Sequence, residues 1–218
     1  MASSVRFCGS SELWVSVILL AAGKGKRMGL QKLLLPWGRE TVIEAVLRAF
    51  LASGVKEIIV VLGEDLALLR NLLGPYRVKL AFNPLYSSGM ASSIRKGLEY
   101  VDPRAQGIMI ALGDMPLIRP ALIDGLLEAF GKGKGIVVPV FKGRRGHPVL
   151  FPRSFQGELM GLSGDEGGRR ILEEHRDEII EIEVDDPAIL MDMDTLEDYE
   201  RLLSFARSAG HFHEDPGT

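Results

Sequence analysis

Apolar positions along the chain switch repeatedly between short unbroken runs and helical stripes. Residues 14–20 form a continuous apolar run, the mark of a strand buried on both faces. Residues 57–62 (EIIVVL) and 108–112 (IMIAL) repeat that pattern, and residues 78–82, 136–140 and 148–151 are read as further strands. Residues 178–184 alternate apolar and acidic side chains, which predicts a more exposed strand. Helical spacing lies between these runs. In residues 41–53, Val42, Ile43, Val46, Leu47 and Phe50 share one stripe, Thr41 and Glu44 fit a capping box, and Gly54 is a stop signal. Helices are also expected at residues 65–73, at 90–100 on the spacing of Ile94, Leu98 and Val101, and from Pro120 to about residue 130. A last helix spans 195–205, with Thr195 and Asp198 as its capping pair. Strands alternating with helices predict an α/β fold whose mostly parallel central sheet is covered on both faces. Ligands of such sheets bind at the carboxyl ends of the strands. The loops after Leu20, Phe82 and Leu112 therefore carry the interest, and they are also the richest in Gly, Ser, Asn and Asp.

Composition narrows the picture. The 218 residues, 46% hydrophobic and 25% charged, suit one compact domain over residues 13–207, with a frayed segment 1–12 and a flexible tail 208–218. A formal net charge of −3 offers no global basic field, so nucleic acid is not expected as a partner. Cys8 is the only cysteine, so no internal disulfide forms, which suits a reducing compartment. Residues 13–22 lack the basic segment that precedes a signal-peptide core, and no run reaches the roughly 18–20 apolar residues of a membrane span. A soluble, cytoplasmic protein with no membrane partner is expected.

The chemistry begins at LLAAGKGKRMG, residues 19–29, where three glycines and three cations crowd into residues 23–29. The glycine spacing is G-x-G-x-x-x-G, one residue too long for a dinucleotide fingerprint, and it does not fit a P-loop. A loop wrapping a nucleoside triphosphate and a solvated glycine turn both remain open. Asp114, in GDMP after a buried strand, is a hard oxygen ligand suited to Mg2+, or a turn cap. Gly89, Ser92 and Ser93 in NPLYSSGMASS allow close approach and offer hydroxyls at a helix start, or simply cap that helix. His147 follows the basic Arg144-Arg145 turn, and Asp192 and Asp194 in MDMDTLEDY are metal ligands or a lead into the Thr195 cap.

With LLAAGKGKRMG and Gln31-Lys32, NPLYSSGMASSI, GDMP, GRRGHPVLF, SGDEGGRRIL and DMDTLEDY occurring in that order from about residue 15 to 203, the chain resembles the molybdopterin nucleotidyltransferase family, and within it the cytidylyltransferases. The resemblance implies a Rossmann-like three-layer nucleotidyltransferase fold that uses a nucleoside triphosphate and Mg2+ to transfer a nucleoside monophosphate. It implies that Leu20, Ala21, Ala22 and Gly23 line the base and sugar, that Gly25 to Arg27 embrace the triphosphate, and that Arg27 and Lys32 offset charge at the α-phosphate and departing pyrophosphate. Asp114 would hold Mg2+ with Asp192 or Asp194, and Gly89, Met90, Ser92 and Ser93 would shape the base pocket. His147, Gly168 and Arg169 would face the second substrate.

Guanylyl-transferring relatives tend to carry Gly-Gly where this chain has Ala21-Ala22, and Gly-Pro-Leu where it has Gly89-Met90-Ala91; both differences favour CTP. The expected reaction is CMP transfer from CTP to molybdenum-bearing molybdopterin, giving a dinucleotide cofactor for a molybdenum hydroxylase or its chaperone. The alternatives are GTP as donor, a sugar or polyol phosphate as acceptor, or a non-catalytic cofactor carrier. A dehydrogenase stands third.

Overall fold

The structure is a computed structural model that describes residues 13–23, 32–63, 66–210 and 212. Its strands are β1 (Val15–Ala21), β2 (Pro36–Trp37), β3 (Glu40–Thr41), β4 (Glu57–Leu62), β5 (Lys79–Phe82), β6 (Gly107–Leu112), β7 (Ile136–Phe141), β8 (Arg144–Arg145), β9 (Val149–Pro152) and β10 (Ile179–Glu183). Its helices are α1 (Val42–Leu51), α2 (Leu66–Leu73), α3 (Met90–Leu98), α4 (Pro120–Lys132), α5 (Gln156–Met160), α6 (Arg169–Glu174) and α7 (Leu196–Ser208). The expected elements are present with ends shifted by a few residues. The β2–β3 hairpin, β8, α5 and α6 escaped the sequence pattern because each is too short to show a period.

The eight-stranded sheet runs in the order β10-β7-β9-β6-β1-β4-β5, with β8 paired to β7. Pairing is parallel except where β9 lies antiparallel between β6 and β7 and where β8 folds back on β7. The apolar run of β1 sits near the middle of the sheet, so both its faces are covered. Alternate residues divide between two cores: Val17, Leu19 and Ala21 face α1, α4 and α7, whereas Ile18 and Ala22 face α3, α5 and α6. The sheet is thus sandwiched between two helical layers.

Register brings the expected loops together. Leu20 pairs with Val61 on one side and Leu112 on the other, so β1, β4 and β6 end side by side. The Gly113 N–H donates to the Leu20 carbonyl at 2.9 Å, and a Cβ on Gly113 would stand 2.9 Å from that same oxygen. Glycine at this position lets Asp114 leave the sheet directly beside Ala22 and Gly23. The Phe212 ring packs edge-on against Trp37, with centroids 5.5 Å apart.

Candidate active site

Two cavities open at the carboxyl end of the sheet and share Met90 and Asp165 as a common wall. The first, of about 330 Å³, is lined by Leu20, Ala22, Gly23, Lys32, Gly89, Met90, Ser93 and Asp114. The second, of about 410 Å³, is lined by His147, Gly168 and Arg169 together with Arg145, Phe151, Leu172 and Glu166. Of the residues expected at the nucleotide, Leu20, Ala22, Gly23, Gly89, Met90 and Ser93 line the first cavity; those expected at the second substrate, His147, Gly168 and Arg169, line the second. Gly25 and Arg27 lie outside the described residues.

The charged centre of the first cavity is Lys32. Its ammonium donates to Asp114 Oδ2 at 2.5 Å, to the Met193 carbonyl at 2.8 Å and to Asp194 Oδ1 at 3.2 Å. Burial works against the ammonium's charge, but the combined pull of Asp114 and Asp194 outweighs it and holds the Lys32 pKa above the ordinary lysine value. Asp192 is pushed the opposite way for a carboxylate. Although solvent reaches it, partial loss of hydration and then the nearby negative charge of Asp114 raise its pKa. Asp114, Asp192 and Asp194 supply hard oxygen donors of the kind a divalent cation takes, but their oxygens are not gathered within 4.8 Å of one another, and Lys32 holds those of Asp114 and Asp194. The donor chemistry fits such an ion; the ligand geometry is not assembled.

Not every expected nucleotide contact points into the cavity. Ala21 belongs to the core facing α1, because strand side chains alternate; Ala22 belongs to the α3 side and is the one of the two that lines the cavity. Of the two serines, Ser93 lines the cavity, while the Ser92 hydroxyl donates toward the Leu85 and Gly89 carbonyls at 2.9 and 2.8 Å and so braces the loop. Gly89 has a φ of +113°, and an added Cβ would stand 2.4 Å from the Gly164 carbonyl oxygen. The chain itself, rather than a ligand, makes the close approach at Gly89.

Sequence reasoning passed over Asn83 and Asp165. Asn83 is buried, donates to Ser92 Oγ at 2.9 Å and Ser93 Oγ at 3.0 Å, and accepts the Leu85 N–H at 3.0 Å. The last bond is an Asx turn, which an Asn before Pro at a strand end could have signalled. Asp165 accepts the Met90 N–H at 3.0 Å, and the Gly164 carbonyl accepts that of Ala91 at 3.0 Å. The start of α3 is thus capped by the loop that carries the second cavity. No pattern within the sequence links residues so far apart.

In the second cavity His147 is anchored through its backbone N–H to the Ile189 carbonyl at 2.9 Å, while its buried Nδ1 has no hydrogen-bond partner among the described residues. Burial lowers the His147 pKa, and the negative charge of Asp114 only partly opposes this, so the imidazole is neutral at neutral pH. Arg145 pairs with Glu181 at 2.7 Å, and Arg169 pairs with Glu173 one helical turn on at 2.9 Å.

A mostly parallel sheet, carboxylates and a buried lysine at its carboxyl edge, and two adjoining cavities there describe a Rossmann-like nucleotidyltransferase. Residues 17–179 match the MobA-like NTP transferase domain, and the chain belongs to that family, as a relative of the molybdenum cofactor cytidylyl- and guanylyltransferases. Nicotine blue oxidoreductase of Paenarthrobacter nicotinovorans is 32% identical over 87% of this chain and 96% of its own. The probable molybdenum cofactor guanylyltransferase of Methanosarcina mazei is 27% identical (88% and 91%), and the molybdenum cofactor cytidylyltransferase of Escherichia coli 22% (85% and 93%). The crystal structure of Rv0371c from Mycobacterium tuberculosis matches with a TM-score of 0.81 at 32% identity, covering 89% of this chain and 100% of that one. A complex of the same protein with manganese matches at 0.76 and 30% identity, with the same coverage. Among the described residues no helix is long and apolar enough to cross a membrane.

Proposed function

We propose that this nucleotidyltransferase moves CMP from CTP to the terminal phosphate of molybdenum-bearing molybdopterin, forming the molybdopterin cytosine dinucleotide cofactor and releasing pyrophosphate. The observation that carries this reading is the junction of the two cavities at Met90 and Asp165, with Lys32 and Asp114 on one side and His147, Gly168 and Arg169 on the other. Two substrates held in adjoining cavities meet near the lysine, which suits a transfer that depends on positioning and charge stabilisation.

An oxygen of the acceptor phosphate attacks the α-phosphorus of CTP. The new P–O bond forms as the bond to the bridging oxygen breaks, and pyrophosphate leaves with the electron pair. The acceptor phosphate is already ionised at neutral pH, so no general base is needed. Lys32, fixed by Asp114 and Asp194, offsets charge at the α-phosphate, with Arg27 and Gly25 of the glycine loop assigned to the triphosphate. Asp114, with Asp192 or Asp194, would hold Mg2+, which when bound supplies positive charge to the phosphates. The neutral His147 ring is assigned to the acceptor, beside Gly168 and Arg169. Ala22, through its methyl, narrows the base slot and favours CTP over GTP. The product would pass to a molybdenum hydroxylase or its chaperone.

The test is pyrophosphate release with purified molybdopterin cofactor and each of CTP, GTP, ATP and UTP, with and without Mg2+. Release with CTP and Mg2+ is expected to exceed that with GTP by at least about tenfold. Equal release with GTP, or none above background with CTP, would overturn the donor assignment. The oxidoreductase relative makes NAD(P)H oxidation the control: hydride transfer without nucleotide turnover would replace the reading altogether.

A further inference from the structure

The wall of the second cavity contains one charge that the fold does not use. Arg145 and Arg169 are paired with Glu181 and Glu173, and Asp165 is engaged by the Met90 N–H. Glu166 also lines this cavity, and its exposed carboxylate has no hydrogen-bond or ion-pair partner among the described residues. Its position is set by the turn that opens α6. The Glu166 carbonyl accepts the Arg169 N–H at 3.3 Å, and Gly167 takes a φ of +55°. A Cβ on Gly168 would lie 2.8 Å from Phe151 Cζ, so glycine there seats the turn against the aromatic ring. The remaining wall includes Ile110, Val149, Phe151 and Leu172, an apolar surface suited to a flat ring.

From this arrangement we infer that Glu166 is a specificity-determining residue that reads the hydrogen-bond donor edge of the acceptor's heterocycle. A free carboxylate repels phosphate, so the acceptor's phosphate belongs elsewhere in the cavity. The two carboxylate oxygens match two adjacent N–H donors, and a pterin presents such a pair in its amino group and neighbouring ring N–H. The apolar wall takes the ring face while Glu166 takes its edge. This inference rests on the pterin-bearing acceptor of the proposed function, and it names the residue that would recognise it.

The experiment is a fluorescence titration of the full chain with free pterin and with lumazine, the analogue that carries an oxo group in place of the amino group. Wild type is expected to bind pterin at least about tenfold more tightly than lumazine. E166Q, which keeps size but presents an amide donor to the ring N–H, should lose that preference, with its thermal unfolding midpoint confirming an intact fold. E166D, which retains the carboxylate, should keep part of it. A pterin preference that survives E166Q, or equal binding of both heterocycles by wild type, would overturn the role of Glu166. Either result leaves the acceptor reading standing if molybdopterin still drives CTP-dependent pyrophosphate release; failure of that release would instead remove the acceptor reading itself.

Discussion

Two carboxylate clusters in this molecule look alike on paper and differ in what stands beside them. At the sheet edge, Asp114 and Asp192 repel each other, and the Asp192 pKa is raised. On the surface, Glu158, Glu174 and His175 place one possible metal-ligand atom each within 4.8 Å of one another. There the imidazole bonds Glu158 and Glu178, both at 2.9 Å, and stacks edge-on against Phe155. The hydrogen bond that the imidazole makes to Glu178 raises the His175 pKa, desolvation opposes it, and the bond to Glu158 adds to the rise. Proximity of ligating residues does not make a site; the sheet-edge carboxylates differ in adjoining a cavity through Asp114 and Lys32.

The sharpest way to break this contrast is D114N. It should lower CTP-dependent pyrophosphate release by at least about tenfold, or roughly 1.4 kcal/mol of barrier, whereas E174Q in the surface cluster should leave release within twofold or so. Matching losses would show that both clusters serve the reaction. Next in size, A22G removes the methyl of the cavity-lining Ala22 and should cut the ratio of kcat/KM for CTP over GTP several-fold, toward the low end of what one methyl discriminates. A21G, whose methyl faces the opposite core, should cost stability and leave the ratio unchanged.

How legible all this was depends on the range of the physics. Strands β1, β4 and β6 declare themselves because burial on both faces writes nearly unbroken apolar runs, and the ends of β1, β5 and β6 lead into loops that line the first cavity. The expectation that Ala21 and Ala22 both line the base pocket overlooked an equally local rule, the strand period that sends their side chains to opposite faces. The reversed direction of β9 was not legible locally, because four apolar residues read the same whichever way they pair. Lys32 and Asp114 were each singled out in the sequence, yet their contact spans 82 positions and only the tertiary fold brings them together. Asn83 and Asp165 were missed for a related reason: their value lies in partners on another element, the Ser92–Ser93 pair for one and the Met90 N–H for the other.

Smaller effects sharpen the comparison further. D192N removes a like charge from beside Asp114 and should raise the urea midpoint of the metal-free protein, by less than about 1 kcal/mol because solvent screens the pair. A lowered midpoint would mean that Asp192 is structurally paired. The smallest expected change is in the His175 titration. A raised folded-state pKa contributes stability that is full below the unfolded value and is lost as pH rises through the folded one. E158Q should therefore move the His175 NMR titration downward and reduce the stability lost above neutral pH; an unmoved titration would remove Glu158 as a cause.

The central claim is that the two adjoining cavities carry nucleotide and acceptor to a shared point of transfer. It is tested most directly by incubating the chain with molybdopterin cofactor, Mg2+ and CTP labelled at the α-phosphate, then isolating the cofactor. The account predicts that the α-label appears in the cofactor in a one-to-one ratio with pyrophosphate released, and that D114N suppresses both together. Label remaining wholly in CTP or free CMP, with the cofactor unlabelled, would contradict it.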